Sequence, residues 1–406
     1  MGSVRTIRRI KEFQEEAVKE GIWSASELTK ELIRTDSTNP GSCESAVGNL
    51  ISRRLSRLPG VTVETEEVFP CRFNVKAELP GNPDKPALVW ICHMDTVVVG
   101  DGWTRDPFGA EEEDGRIYGR GACDMKSGLA CALSTFAYGA KRAAAGEVPG
   151  RKVVFIGSVD EEDFMRGAEA AIRCGWVKQT DWVLDTEPTD GQIQVAHKGR
   201  TWFEVTVTGC TAHASMPWKG ADAIAAMAEL IRSVRLSVAA LEPHPNLGPS
   251  TVTFGQIAGG YRPYVVPDSC KVWIDMRLVP PTDTEAARKI LDEAAGRAGK
   301  EVPGITVSYQ ITGNRPYVEK HEEAPLLKQL GQACAFVTGR EPVVGPFPGY
   351  TDTAVIAGIL GNENCMSYGP GSLAQAHKPD EFVETADILR CEQVLKALVD
   401  QAVFGG

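Results

Sequence analysis

Seven side chains able to do metal chemistry lie at or beside the ends of apolar runs: His93, Asp95, Asp124, Glu161, Glu162, Glu187 and His377. Carboxylates can bridge and neutralise a pair of divalent ions, and imidazoles can complete each coordination sphere. Adjacent glutamates such as Glu161 and Glu162 can divide labour. One binds metal while the other takes a proton from water. If these residues converge in space, the chemistry they offer is hydrolysis of an amide.

The elements around them decide whether they can converge. PALVWICHMD and KVVFIGSVDEE read as buried strands, and DWVLDTEPT as a strand running into a loop. A helical pattern over 43–57 precedes them, and MKSGLACALSTFAYGAKRAA and AEAAIRCG are helical patterns between them. Residues 6–35 also read as helix, with Ser24 or Ser26 as a candidate N-cap. Alternating strands and helices imply a mainly parallel α/β sheet, whose ligands bind beyond the carboxyl ends of the strands. His93, Glu161, Glu162 and Glu187 fall there. From about residue 200 to 312 the order becomes β-α-β-β-α-β, that of a ferredoxin-like module. A small module inserted into a larger α/β domain is therefore expected, the larger domain comprising residues 1–199 and 313–406.

A chain of 406 residues is long for one core. Its hydrophobic (43%) and charged (24%) fractions are those of a globular protein in water. A net charge of −11 argues against nucleic acid or an anionic membrane as partner. It leaves room for a small anionic substrate met by a local arginine. No apolar run approaches the ~18 residues of a membrane span, and no signal peptide is evident. The 11 cysteines show no repeated spacing and no CxxC, which points to free thiols in a reducing cytoplasm. Cys92 and Cys123 are read as packing neighbours of ligands.

His93 and Asp95 sit two apart on extended chain and so share a face; one can ligate while the other orients it. Asp124 precedes a helix in YGRGACDMKSGLA, where an N-cap is the commoner role; a bridging ligand becomes the better reading only together with the other residues. His377, in GPGSLAQAHKPDEFV, lies in a Gly/Pro loop rather than on an apolar face. His213, in GCTAHASMPWKGADA, lies in a strand-to-helix loop of the inserted module. His197, His244 and His321 are read as structural.

Eight segments now carry a resemblance: CHMDTV, DGWTRDPFGAEEEDGRIYGRGACDMKSG, SVDEED, DTEPTD, VAHKGR, GCTAHASMPWKGADA, VPDSCKVWIDMR and YGPGSLAQAHKPDEFV. In that order, over nearly the full chain, they resemble the M20 metallopeptidase family. The branch is that of acetylornithine deacetylase and succinyl-diaminopimelate desuccinylase. The resemblance implies a zinc-peptidase-like α/β catalytic domain with an inserted ferredoxin-like dimerisation or lid domain, assembled as a homodimer. It implies two divalent ions, zinc first, with cobalt or manganese as alternatives. His93, Asp124, Glu162, Glu187 and His377 would be the metal ligands, Asp124 bridging. Asp185 rivals Glu187. Asp95 would orient His93, Glu161 would be the general acid and base, and His213 would polarise the scissile carbonyl in a partner's site. Arg277 would hold the substrate's carboxylate. Asp268 departs from the pattern, since many relatives carry asparagine after VVP. The implied reaction is attack of a metal-activated water on the amide of an N-acyl amino acid. The alternatives are an M20-type dipeptidase or carboxypeptidase acting on a dipeptide, or a metal-binding homologue without activity.

Overall fold

The computed structural model describes residues 23–405. Part of the helix expected over 6–35 lies outside the described residues. The described part is the helix Ala25–Ile33. Ser24 occupies its N-cap with extended backbone, but its side chain makes no capping bond.

In chain order the strands are β1 (Thr62–Phe69), β2 (Arg72–Leu79), β3 (Leu88–His93), β4 (Glu112–Glu113) and β5 (Arg116–Tyr118). Then come β6 (Val153–Ser158), β7 (Trp182–Asp185), β8 (Ile193–His197), β9 (Gly199–Thr208), β10 (Thr251–Gly259) and β11 (Ser269–Leu278). The last are β12 (Thr306–Arg315), β13 (Val344–Phe347), β14 (Cys365–Ser367) and β15 (Phe382–Glu384). The chain groups into two compact units. Among the described residues, one spans 23–195 with 320–347 and 351–405; the other spans 196–319 with 348–350.

The first unit holds an eight-stranded sheet in the order β1-β2-β6-β3-β7-β14-β8-β13. Its centre, β6-β3-β7-β14, is parallel. The flanks are antiparallel, β2 on β6 and β8 on β14, so the expected mainly parallel sheet is parallel only at its core. Every residue of β3, β6 and β7 is buried, the outcome of near-continuous apolar runs covered on both faces. The helices Ser127–Ala144 and Thr385–Val399 contribute Leu129, Leu133, Phe136, Leu395 and Leu398 to that core. A small sheet, β15-β5-β4, brings the segment after His377 alongside the segment before Asp124.

The second unit is a four-stranded antiparallel sheet in the order β10-β11-β9-β12, with helices Ala223–Ala239 and Thr284–Glu301 between its strands. This is the ferredoxin-like arrangement read from the sequence. Alternation puts Phe203, Val205, Val272, Ile274 and Met276 on the helix side, where they meet Met227, Leu230, Val234 and Leu291. Asp222 and Asp283 cap the two helices through their side chains. Among the described residues, no helix is long and apolar enough to cross a membrane.

Candidate metal centre

Three parallel strands deliver the first ligands. β3 ends on His93, which pairs in register with Ser158 at the end of β6. Glu161 and Glu162 follow Ser158 by three and four residues, and Glu187 follows the end of β7 by two. The carboxyl ends of adjacent parallel strands thus place an imidazole and three carboxylates at one edge of the sheet.

Asp124 reaches them from an irregular turn before the helix Ser127–Ala144. Its backbone (φ −118°, ψ 101°) is extended rather than helical, and its side chain makes no cap. Its peptide bond to Met125 is cis. Gly128 explains how that helix can start so close to β7: a Cβ there would lie 2.0 Å from the carbonyl oxygen of Thr186, beside Glu187. His377 arrives from the loop before β15, held in the left-handed region at φ 63°.

The side chains then converge. Asp124 Oδ1 is 3.1 Å from His93 Nε2, and Asp124 Oδ2 is 3.4 Å from His377 Nε2. Each imidazole has a second carboxylate. Glu187 Oε1 lies 3.6 Å from His93 Nε2, and Glu162 Oε2 lies 3.1 Å from His377 Nε2. His93, Asp124 and Glu162 form one group with ligand atoms close enough to share an ion; His93, Glu161 and Glu187 form another. Asp185 joins neither group and instead accepts the Thr353 hydroxyl at 2.7 Å.

Asp95 orients its neighbours by a route different from the one expected. His93 Nδ1 sits 3.0 Å from the Asp95 main-chain carbonyl, while the nearest carboxylate oxygen is 3.7 Å away. The carboxylate instead accepts the backbone N–H groups of Glu161 (3.2 Å) and Glu162 (3.3 Å), and the Asn39 amide at 3.0 Å. Extended chain puts residues i and i+2 on one face, but after β3 the chain turns, and the carbonyl reaches the ring first.

Burial raises the carboxyls of Glu161 and Glu187 well above the carboxylate range, and neighbouring carboxylates add to the effect. Asp124 is the opposite case. Burial alone would raise it, but hydrogen bonds from His377 and His93 hold it below that range. Hydrogen bonds to Asp124 and Glu162 in turn push His377 up to about 10. The carboxylates press a proton onto each imidazole; a divalent ion would supply the same neutralisation with the imidazole as a neutral ligand. Glu162 Oε1 is buried without a hydrogen-bond partner, as an oxygen reserved for a cation would be. The donor set fits divalent metal.

His213 and Arg277 belong to the second unit. His213 is exposed, and its Nδ1 accepts the Ser215 N–H at 3.2 Å. A neutral ring so held carries its proton on Nε2, as a donor. Arg277 is forked onto Asp275 of its own strand through Nε (2.8 Å) and Nη2 (2.9 Å). His197 is buried and meets Tyr350 edge-on. Asp352 is a site-edge residue to which the sequence reading gave no role. It is buried, takes the Ser158 hydroxyl at 2.5 Å, and its charge helps raise Glu161. A lone Asp between Thr351 and Thr353 forms no motif or period that would have marked it in the sequence.

Residues 89–401 match the peptidase family M20/M25/M40. The acetylornithine deacetylase of Erwinia tasmaniensis is 29% identical over 384 residues, covering 91% of this chain and 94% of that protein. A probable succinyl-diaminopimelate desuccinylase of Staphylococcus aureus is 27% identical over 354 residues, covering 80% and 85%. An M20 family metallo-carboxypeptidase of Sulfolobus solfataricus superposes with a TM-score of 0.76 at 19% identity, covering 93% of this chain and 99% of that one. With the family match spanning most of the chain and the fold shared throughout, this protein belongs to the M20/M25/M40 peptidase family and is a hydrolase.

Proposed function

We propose that this hydrolase cleaves the amide bond of an N-acyl amino acid with two divalent ions, zinc first among them. The observation that carries the reading is Asp124: one carboxylate offers a separate oxygen to each of two imidazoles, and each imidazole has its own glutamate. His93 and Glu187 would hold one ion, His377 and Glu162 the other, and Asp124 both. Bound there, such ions would polarise the carbonyl and make a water acidic near neutral pH.

The remaining work falls to the protein. Glu161, unused as a hydrogen-bond partner of either imidazole, would take the proton from the attacking water and return it to the leaving amine. Its raised affinity for a proton suits that exchange. The Nε2–H of His213 would meet the charge that develops on the carbonyl oxygen. Arg277 would bind the substrate's carboxylate. Its fork to Asp275 uses Nε and Nη2 and leaves Nη1 for that contact. The ferredoxin-like unit would act as lid and dimerisation module. The eleven free cysteines support a reducing, cytoplasmic setting.

The name of the deacetylase relative favours an N-acyl amino acid over a dipeptide as substrate. A dipeptidase or carboxypeptidase is the second reading, since the carboxypeptidase neighbour has the same fold. Metal analysis and a substrate panel test both. Two ions per chain, hydrolysis of N-acetyl amino acids, and slower cleavage of dipeptides are expected. One ion per chain would sink the paired site; faster dipeptide turnover would favour the second reading.

A further inference from the structure

Glu381 follows His377 by four residues, and its carboxylate is turned onto the backbone of Cys123 and Asp124. It is 1% exposed. Oε1 accepts the backbone N–H groups of Cys123 at 2.8 Å and Asp124 at 3.1 Å. Oε2 accepts Arg120 Nη1 at 2.5 Å. Arg120 is 2% exposed, gives Nη2 to the Val99 carbonyl at 2.9 Å, and lies over the Trp103 ring. The Glu381 carbonyl accepts the Gly119 N–H at 2.9 Å. Four bonds therefore tie one residue of the His377 loop to the turn that carries Asp124.

That turn needs such a partner. Asp124 has extended backbone just ahead of a helix, so its N–H finds no acceptor in a regular ladder. A neutral acceptor would satisfy the N–H groups. A carboxylate binds them more tightly and over a narrower range of geometry. Arg120 pairs with that carboxylate and offsets part of the negative charge it brings beside Asp124. Burying such a pair is poor value for stability alone, since apolar residues of similar volume would serve as well or better.

We propose that Glu381, held by Arg120, is a positioning residue that fixes Asp124 between the two imidazoles. Asp124 is the carboxylate that touches both rings, so a loosened turn would detune both halves of the centre together. This rests on the metal-site reading above.

Zn²⁺ titration into chelator-stripped protein, by calorimetry against a competing chelator, tests it. Glu381→Gln keeps the size of the side chain but removes the counter-charge of Arg120. Its Zn²⁺ affinity should fall about 10- to 100-fold, and the visible spectrum of its Co²⁺ form should change. Glu392→Gln is the comparison. Glu392 is also a buried acid, but it is bonded to Ser134 and Lys396, away from the ligand turn. That variant should lose thermal stability and keep its affinity. Unchanged affinity in Glu381→Gln, or equal weakening in both variants, overturns the proposal. If Glu381→Gln does not fold, Glu381→Asp answers by the same titration: it keeps the charge but draws the oxygens back, and unchanged affinity again overturns the proposal. A wild-type protein that binds no ion overturns the site reading itself; two ions in the wild type with an unchanged variant overturn only the positioning role.

Discussion

Glu161 and Glu162 are adjacent, yet the fold gives them different work. Glu162 faces His377, while Glu161 sits deeper, pushed up by burial and by Asp352. Glu161→Gln should lower kcat by about 10²–10⁴ while leaving two bound ions, checked by steady-state kinetics beside metal analysis. Full turnover would remove it as acid and base. Glu187 and Asp185 can be separated in the same way. Glu187→Gln should lose the ion on the His93 side, whereas Asp185→Asn should keep both ions and lose only stability, since Asp185 is bonded to Thr353. A lost ion in Asp185→Asn would reverse the choice. Residue types and order were enough to nominate His93, Asp124, Glu161, Glu162 and His377, because few roles suit two imidazoles and several carboxylates at strand ends. Which oxygen or nitrogen each presents was not legible. The Asp95 carbonyl reaches His93 only because the chain turns after β3, and a turn of that kind has no hydropathy period.

At the scale of elements, the site depends on how closely a helix can approach the sheet. The start of Ser127–Ala144 lies against Thr186 because Gly128 has no side chain. Gly128→Ala should cost about 1–3 kcal/mol through overpacking. It should also weaken metal binding, because the displaced helix carries the Asp124 turn. A thermal midpoint and a Zn²⁺ titration on the same protein check both halves, and an unshifted midpoint would show that the backbone yields freely. The parallel strands β3, β6 and β7 were legible as apolar runs, and the ferredoxin-like unit as a change of pattern. The short strands β4, β5 and β15 were not, since two or three residues carry no period. Glu381 went unnoticed for the same reason: its meaning comes from a small sheet that pairs β15 with β5.

At the scale of the molecule, acid should weaken the fold through His197. Burial pushes this imidazole down to about 4, against a bond to the Gly349 backbone that favours the charged form. The unfolded chain takes up a proton near pH 6.5, whereas the folded chain stays neutral until about pH 4. Stability from His197 is thus complete above pH 6.5 and is lost as pH falls toward 4, by about 3 kcal/mol. Thermal midpoints at pH 7.5 and 5 should differ less in His197→Gln than in the wild type; equal differences would count against this. Chain order sets a further condition. β14 lies between β7 and β8 in the finished sheet, and His377 follows Glu162 by 215 residues (377 minus 162). At a synthesis rate of roughly 5–20 residues per second, the carboxylates wait roughly 10–40 s on the ribosome for their second imidazole. Nearly all of the inserted unit, residues 196–319, emerges during that interval, while an inner strand of the larger sheet is still missing. A nascent chain therefore carries the acids of the centre well before it can close around them.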